Sequence, residues 1–113
     1  MAVSVGVIRI WNANSNGIIS STTPITSTFF RPVDSQYFSA FISSTTSGTI
    51  SMYASLDNIN YAQVAMNATS TSIVVGSGTV SLITLQPVLA PYYYFVFSPA
   101  IATGSLMFYV AAV

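Results

Sequence analysis

The chain has 113 residues and four charged side chains, Arg9, Arg31, Asp34 and Asp57, with no Lys, Glu, His or Cys. A folded domain of 12.0 kDa exposes roughly 6,000 Å², so each charge would have to keep about 1,500 Å² in water, whereas about 25–35% of a free soluble surface is charged. This composition excludes disulfides, supplies too few cations to displace counterions from a nucleic acid, and leaves only two aspartates and the tyrosines for acid–base chemistry.

The length sets a single domain over 1–113. Hydrophobic residues make up 52% and mean hydropathy is +0.68, yet the richest apolar run, 88–97, is ten residues long and contains Pro91. A spanning helix needs about 20 apolar residues, so none is expected. The opening Met1-Ala2-Val3-Ser4-Val5-Gly6 lacks the positive region of a secretory signal.

Period-two alternation begins at once. Val3, Val5, Val7, Arg9 and Trp11 alternate with Ser4, Gly6, Ile8 and Ile10, the pattern of a strand with one apolar and one mixed face. Residues 12–17 break it and end in Asn16-Gly17, a pair that favours a turn with positive φ. Short strands follow at 18–20 and 25–30, separated by Ser21-Thr22-Thr23-Pro24, and Arg31-Pro32-Val33-Asp34 closes the region. Segments 37–43 and 49–56 read as a hairpin, because Phe38, Ala40 and Ile42 alternate with smaller or polar residues, as do Ile50, Met52, Ala54 and Leu56.

A turn at Asp57-Asn58-Ile59-Asn60 leads to a strand at 61–66, and segments 71–75 and 79–85 around Gly76-Ser77-Gly78 repeat the hairpin plan. Pro87 and Pro91 bracket a connection to two last strands, 92–97 and 106–113. No helical stripe persists for three turns, and β-branched and aromatic residues dominate each run. The expected fold is all-β, a single two-sheet antiparallel sandwich of eight or nine short strands, jelly-roll-like, with a barrel as the other topology.

Each candidate chemistry has a plainer competitor. Asp34 and Asp57 would suit a glycosidase pair only at about 5–9.5 Å separation, while each lies in a predicted turn where a carboxylate accepts local N–H bonds. Asp57-Asn58-Ile59-Asn60 offers oxygen ligands but lacks the further acidic positions of a calcium loop. No catalytic, metal or cofactor residue is assigned. Asn67-Ala68-Thr69 matches a glycosylation acceptor. Tyr92-Tyr93-Tyr94 with Phe95 and Phe97 suggests either a sugar-stacking platform or a central strand covered on both faces, by the domain itself or by its own core on one side and a neighbouring subunit on the other. Alternation places Tyr92, Tyr94 and Val96 on one face and Tyr93, Phe95 and Phe97 on the other, which favours the second.

The stretch Ser51-Met52-Tyr53-Ala54-Ser55-Leu56-Asp57-Asn58-Ile59-Asn60-Tyr61-Ala62-Gln63-Val64 resembles the strand, Ser-x-Asp-Gly-x-Asn-aromatic, strand hairpin of small β-sandwich structural proteins in virus and phage particles and in spore-surface or extracellular filaments. Asn58 stands where that pattern has Gly, which Asn's access to left-handed conformations tolerates. The resemblance implies a structural, self-assembling protein.

Composition agrees with assembly, since 18 Ser and 12 Thr hydrogen-bond across contacts without the cost of burying ions. A surface with few titratable groups also keeps its contacts over a wide pH range. The expected role is a viral capsid component, minor, decorating or at a vertex, located in the virion. A filament at a cell or spore surface is the second reading and a carbohydrate-binding attachment module the third. Partners are copies of the chain and other subunits of the particle, with a glycan as alternative and no nucleic acid or membrane span. Val3, Val5, Val7, Trp11, Tyr92, Tyr94, Phe108 and Tyr109 are the candidate interface residues. Segment 1–11, followed by an Asn/Ser/Gly hinge, is also a candidate for exchange onto a sheet edge of the next copy.

Overall fold

Strand-forming residues dominate the chain, and in the computed structural model the described residues pair into ten strands in two antiparallel sheets. The structure describes residues 6–29, 31, 38–65, 72–76, 78–84 and 90–112, with backbone only at 6–8, 38, 79–84 and 112. The strands are β1 (Gly6–Trp11), β2 (Ile18–Ile19), β3 (Ile25–Thr26), β4 (Phe38–Ser44), β5 (Gly48–Ser55), β6 (Ala62–Val64), β7 (Ser72–Val75), β8 (Thr79–Thr84), β9 (Tyr92–Pro99) and β10 (Gly104–Ala112). Two of them, β2 and β3, are two-residue pairings, which accounts for the excess over the eight or nine expected.

One sheet runs β1-β10-β4-β8, with β2 continuing beside β10, and the other runs β3-β9-β5-β6, with β7 beside β5. Successive strands mostly alternate between the sheets. The result is the two-sheet antiparallel sandwich expected from the spacing of the strands.

Both faces of the core come from strict alternation. Strand β9 alternates half-buried and buried residues along its whole length, with Tyr93, Phe95 and Phe97 inward. Across from them Leu106, Phe108 and Val110 point inward from β10, and Phe95 meets Phe108 edge-on at 4.8 Å between ring centroids. Trp11 closes this cluster at 5.6 Å from Phe108 and 6.4 Å from Phe97. Removing such ring surface from water is the main favourable contribution to folding a chain of this size.

Two expected hairpins are corrected. Segments 37–43 and 49–56 do not pair with each other: β4 lies between β10 and β8, whereas β5 lies between β9 and β6. Alternation decides which face of a strand is buried, and Ala40 and Ile42 meet Ile50 and Met52 across the core as readily as they would lie side by side. The link between these strands is built to leave the sheet. Ser44 Oγ donates to the Thr46 carbonyl at 2.5 Å, and Thr45 Oγ1 accepts from the Ser105 N–H at 2.8 Å. For the same reason β7 pairs with β5 and β8 with β4, so the segments around 76–78 bridge the two sheets. Gly78, at φ 75°, donates its N–H to the Ser44 carbonyl at that crossing.

The first strand departs from simple alternation. Arg9 pairs with Tyr109 and Trp11 with Phe108, a bulge that spends one extra residue on β1. Arg9 therefore faces out while Ile10 and Trp11 are both buried, correcting the single face expected for Arg9 and Trp11. The turn after it also differs from expectation, because positive φ among the described residues occurs at Asn58, Gly78 and Gly104 and not at Gly17. Gly17 is required for closeness: a Cβ there would lie 2.0 Å from the Leu106 carbonyl oxygen and 2.7 Å from that of Asn12. Nor is 12–17 a loose hinge. Asn12 N–H donates to Asn16 Oδ1 at 2.7 Å, Asn16 Nδ2 donates to the Ile10 carbonyl at 3.0 Å, and Leu106 N–H donates to the Gly17 carbonyl at 2.8 Å.

Candidate interaction surfaces

The outer face of the second sheet carries a group of aromatic side chains. Pairing sets Tyr53 of β5 opposite Tyr94 of β9, and their rings stack at 5.0 Å with an interplanar angle of 14°. Tyr61, at the foot of β6, packs on Tyr94 at 4.7 Å. Further along the same face Tyr92 meets Phe29 edge-on at 5.8 Å, and the Arg31 guanidinium lies 5.0 Å from the centre of the Tyr92 ring. Tyr53, Tyr61, Tyr92 and Tyr94 are half-buried, whereas Phe29 and Arg31 are exposed.

The first sheet repeats this chemistry on a smaller scale. Register places Arg9, Tyr109 and Phe41 in one row across β1, β10 and β4. Arg9 lies 5.6 Å from the Tyr109 ring centre, and Tyr109 and Phe41 are 6.4 Å apart. Both arginines of the chain thus rest on tyrosine faces, where the ring quadrupole attracts a cation.

A rigid turn stands at one end of the tyrosine face. Ser55 Oγ accepts from the N–H groups of Asp57 and Asn58 at 3.1 and 2.9 Å and donates to Asp57 Oδ1 at 2.8 Å. Asp57 Oδ1 also accepts from the N–H groups of Ile59 and Asn60 at 2.9 and 2.8 Å, and Oδ2 accepts from Asn60 Nδ2 at 2.9 Å. Those N–H donors, Asn60 before Ile59, followed by the Ser55 hydroxyl and Asn60 amide, hold the Asp57 carboxyl well below the usual carboxylate range. Asn58 takes the left-handed conformation at φ 61°, and the Tyr61 hydroxyl donates to its Oδ1. Lost hydration, then the nearness of Tyr94, Tyr92 and Asp57, raises the Tyr61 phenol above its ordinary pKa.

This network makes Asp57 the keystone of a hairpin, with Met52, Tyr53 and Ala54 of β5 opposite Val64, Gln63 and Ala62 of β6. The turn also holds two apolar side chains in water, Leu56 at 78% exposure and Ile59 at 80%. Beside it opens a shallow, mainly apolar groove lined by Ala54, Ala62, Val64 and Ala90 with Leu56 at its rim.

The candidate interface residues separate into three groups. Tyr92, Tyr94 and Tyr109 lie on outer faces, half-buried. Trp11 and Phe108 do not: they are 2% and 0% exposed and belong to the core, a correction that follows from the bulge in β1 for Trp11 and from Phe108 occupying the inward phase of β10. Val7 pairs with Ala111, while Val3, Val5, Asp34 and Asn67 lie outside the described residues. Sequence reasoning missed Tyr53, Tyr61, Phe41, Leu56 and Ile59. Alternation in 49–55 contained the signal for Tyr53, but its meeting with Tyr94 depends on the β5–β9 register.

No protein-family model matches the chain, and no curated protein sequence does. Among solved structures the fold is similar to that of the PBSX exported protein XepA, with a TM-score of 0.73 and 13% identity over 95% of this chain and 36% of XepA. It is also similar to the SPBc2 prophage-derived protein YomS, with a TM-score of 0.63 and 15% identity over 99% of this chain and 96% of YomS. At these identities the likeness is one of fold. The chain spans just over a third of the length of XepA.

Proposed function

We propose that the chain is a non-enzymatic structural protein that docks in multiple copies into a virus or phage particle, as a minor, decorating or vertex component of the capsid. The observation that carries this reading is the pair of outer faces, where tyrosines and arginines stand in place of the ions of a free surface. Tyrosine and arginine are enriched at protein interfaces and dominate their energetic centres, while Lys, Glu and Asp are depleted there. The total accessible surface is 6311 Å², so a chain with four charges gains little by remaining alone in water. The similarity in fold to XepA and YomS, an exported PBSX protein and a prophage-derived protein, supports a phage-related setting and a place in the virion.

Shared chemistry also ranks the other readings. A shell around a genome presents a basic inner face, and Arg9 and Arg31 are both engaged with tyrosine rings, which favours an outer position without nucleic acid. A sugar platform needs free ring faces, and the Tyr94 ring already packs against Tyr53 and Tyr61. Light scattering and negative-stain imaging of the purified chain test the proposal. Ordered multi-copy species are expected as concentration rises, and a monodisperse monomer throughout contradicts it.

A further inference from the structure

We infer that Asn16-Gly17 is a modification site gated by folding, where the Asn16 side-chain amide is exchanged for a carboxylate by water in the unfolded chain and is retained in the folded one. The inference goes beyond the assembly reading and does not depend on it.

Sequence supplies the reactivity. Asn16-Gly17 is the one Asn-Gly pair in the chain. With no Cβ on the second residue, its backbone nitrogen reaches the preceding side-chain carbonyl carbon with little hindrance, and the unfolded backbone turns freely. The Gly17 nitrogen gives its proton to hydroxide and bonds to Asn16 Cγ. The Cγ–Nδ2 bond then breaks, and Nδ2 takes a proton from water and leaves as ammonia. Water opens the resulting cyclic imide at either carbonyl, giving an aspartyl or an isoaspartyl residue. One water is consumed and one ammonia released, with no oxidant and no cofactor.

The loop requires both members of the pair. Gly17 is buried, and a Cβ there would lie 2.0 Å from the Leu106 carbonyl oxygen, so a side chain does not fit. Asn16 acts as acceptor and donor together: Oδ1 accepts from the Asn12 N–H at 2.7 Å and Nδ2 donates to the Ile10 carbonyl at 3.0 Å. A carboxylate only accepts.

The same contacts restrain the reaction. The Gly17 N–H donates to the Asn12 carbonyl at 2.8 Å, and the Gly17 carbonyl accepts from the Leu106 N–H at 2.8 Å. A hydrogen bond made by the neutral N–H opposes loss of its proton. With both ends of the Asn16 amide and both backbone groups of Gly17 engaged, ring closure waits for the loop to open. The product does not close the loop again as before. Its carboxylate turns an anion towards the Ile10 carbonyl, and the isoaspartyl form also lengthens the main chain by a methylene beside Gly17, where even a Cβ is too large. A chain of zero formal net charge gains one negative charge in the process. Copies that stay unfolded are thereby marked and lost to the folded population, while folded copies keep the amide.

Mass mapping of chymotryptic peptides tests the gate on the full chain, incubated in mildly alkaline buffer either folded or in concentrated guanidinium chloride. Conversion at Asn16 is expected to be about tenfold or more slower in the folded chain, in proportion to how seldom the loop opens. In the denatured chain Asn16→Gln should abolish conversion at that position, because the longer side chain does not form the five-membered ring. Asn16→Asp, which has the composition of the product, should unfold at a lower Tm than wild type or fail to fold. Equal conversion in the folded and denatured chains would overturn the gate, and Asn16→Asp with the wild-type Tm would overturn the loss of modified copies. Either result leaves the assembly reading standing, and a chain that stays monomeric leaves this one standing.

Discussion

Asp57 shows how one of the few charges in the chain is used. Its carboxylate accepts two backbone N–H groups and two side-chain donors within its own turn, all of which favour the ionised form. A carboxyl held below its unfolded value stabilises the fold at pH above that unfolded value, roughly 4, and the contribution disappears as pH falls through the lower folded value. The Tm difference between wild type and Asp57→Asn should therefore stay constant from pH 7 to about 4 and shrink below it. A difference that grows towards acid would contradict the bonding described. Asn58, at φ 61°, should tolerate Gly, whereas Asn58→Ala should cost about 1 kcal/mol in urea unfolding, because a Cβ without a local polar partner is strained in the left-handed region. The turn was legible in the sequence, since Ser, Asp and Asn at those positions carry their own bonding partners.

Strands were legible and their partners were not. Period two separated Tyr93, Phe95 and Phe97 from Tyr92, Tyr94 and Val96, and the structure makes the first set the buried face of β9, but a strand's alternation is satisfied equally by a neighbour beside it or a sheet opposite it. Hence β4 and β5, and likewise β7 and β8, looked like hairpins and are the two sides of a sandwich. The β5–β6 hairpin was recoverable because its turn residues specify its geometry. The bulge in β1 was hidden, since an extra residue among apolar neighbours leaves no mark in composition, and it turned Trp11 from a surface candidate into part of the core. Strand β1 pairs with β10 of its own chain, and Trp11 packs on Phe97 and Phe108. Deleting 1–11 removes that ring, a loss that costs about 3–5 kcal/mol for a buried aromatic alone. Loss of the cooperative thermal transition is the expected outcome in circular dichroism. A folded, soluble monomer after deletion would instead indicate that this strand is exchanged between copies.

At the scale of the whole molecule, scarcity of charge is matched by where the charges sit. Arg9 and Arg31 lie on tyrosine rings and Asp57 is bound into a turn, so the described sheet faces present rings, hydroxyls and aliphatic groups. Composition suggests a surface made for protein, and the residues that would carry it depend on register: Tyr53 with Tyr94, Arg9 with Tyr109 and Phe41. The central claim is that these faces are covered by neighbouring copies or by other subunits. Hydroxyl-radical footprinting of the chain from dilute to concentrated solution reads that coverage residue by residue. Labelling of Tyr53, Tyr61, Tyr92 and Tyr94 should fall several-fold as association proceeds, while Trp11 and Phe108, already in the core, stay low throughout. Tyrosine labelling that is identical at every concentration would contradict it.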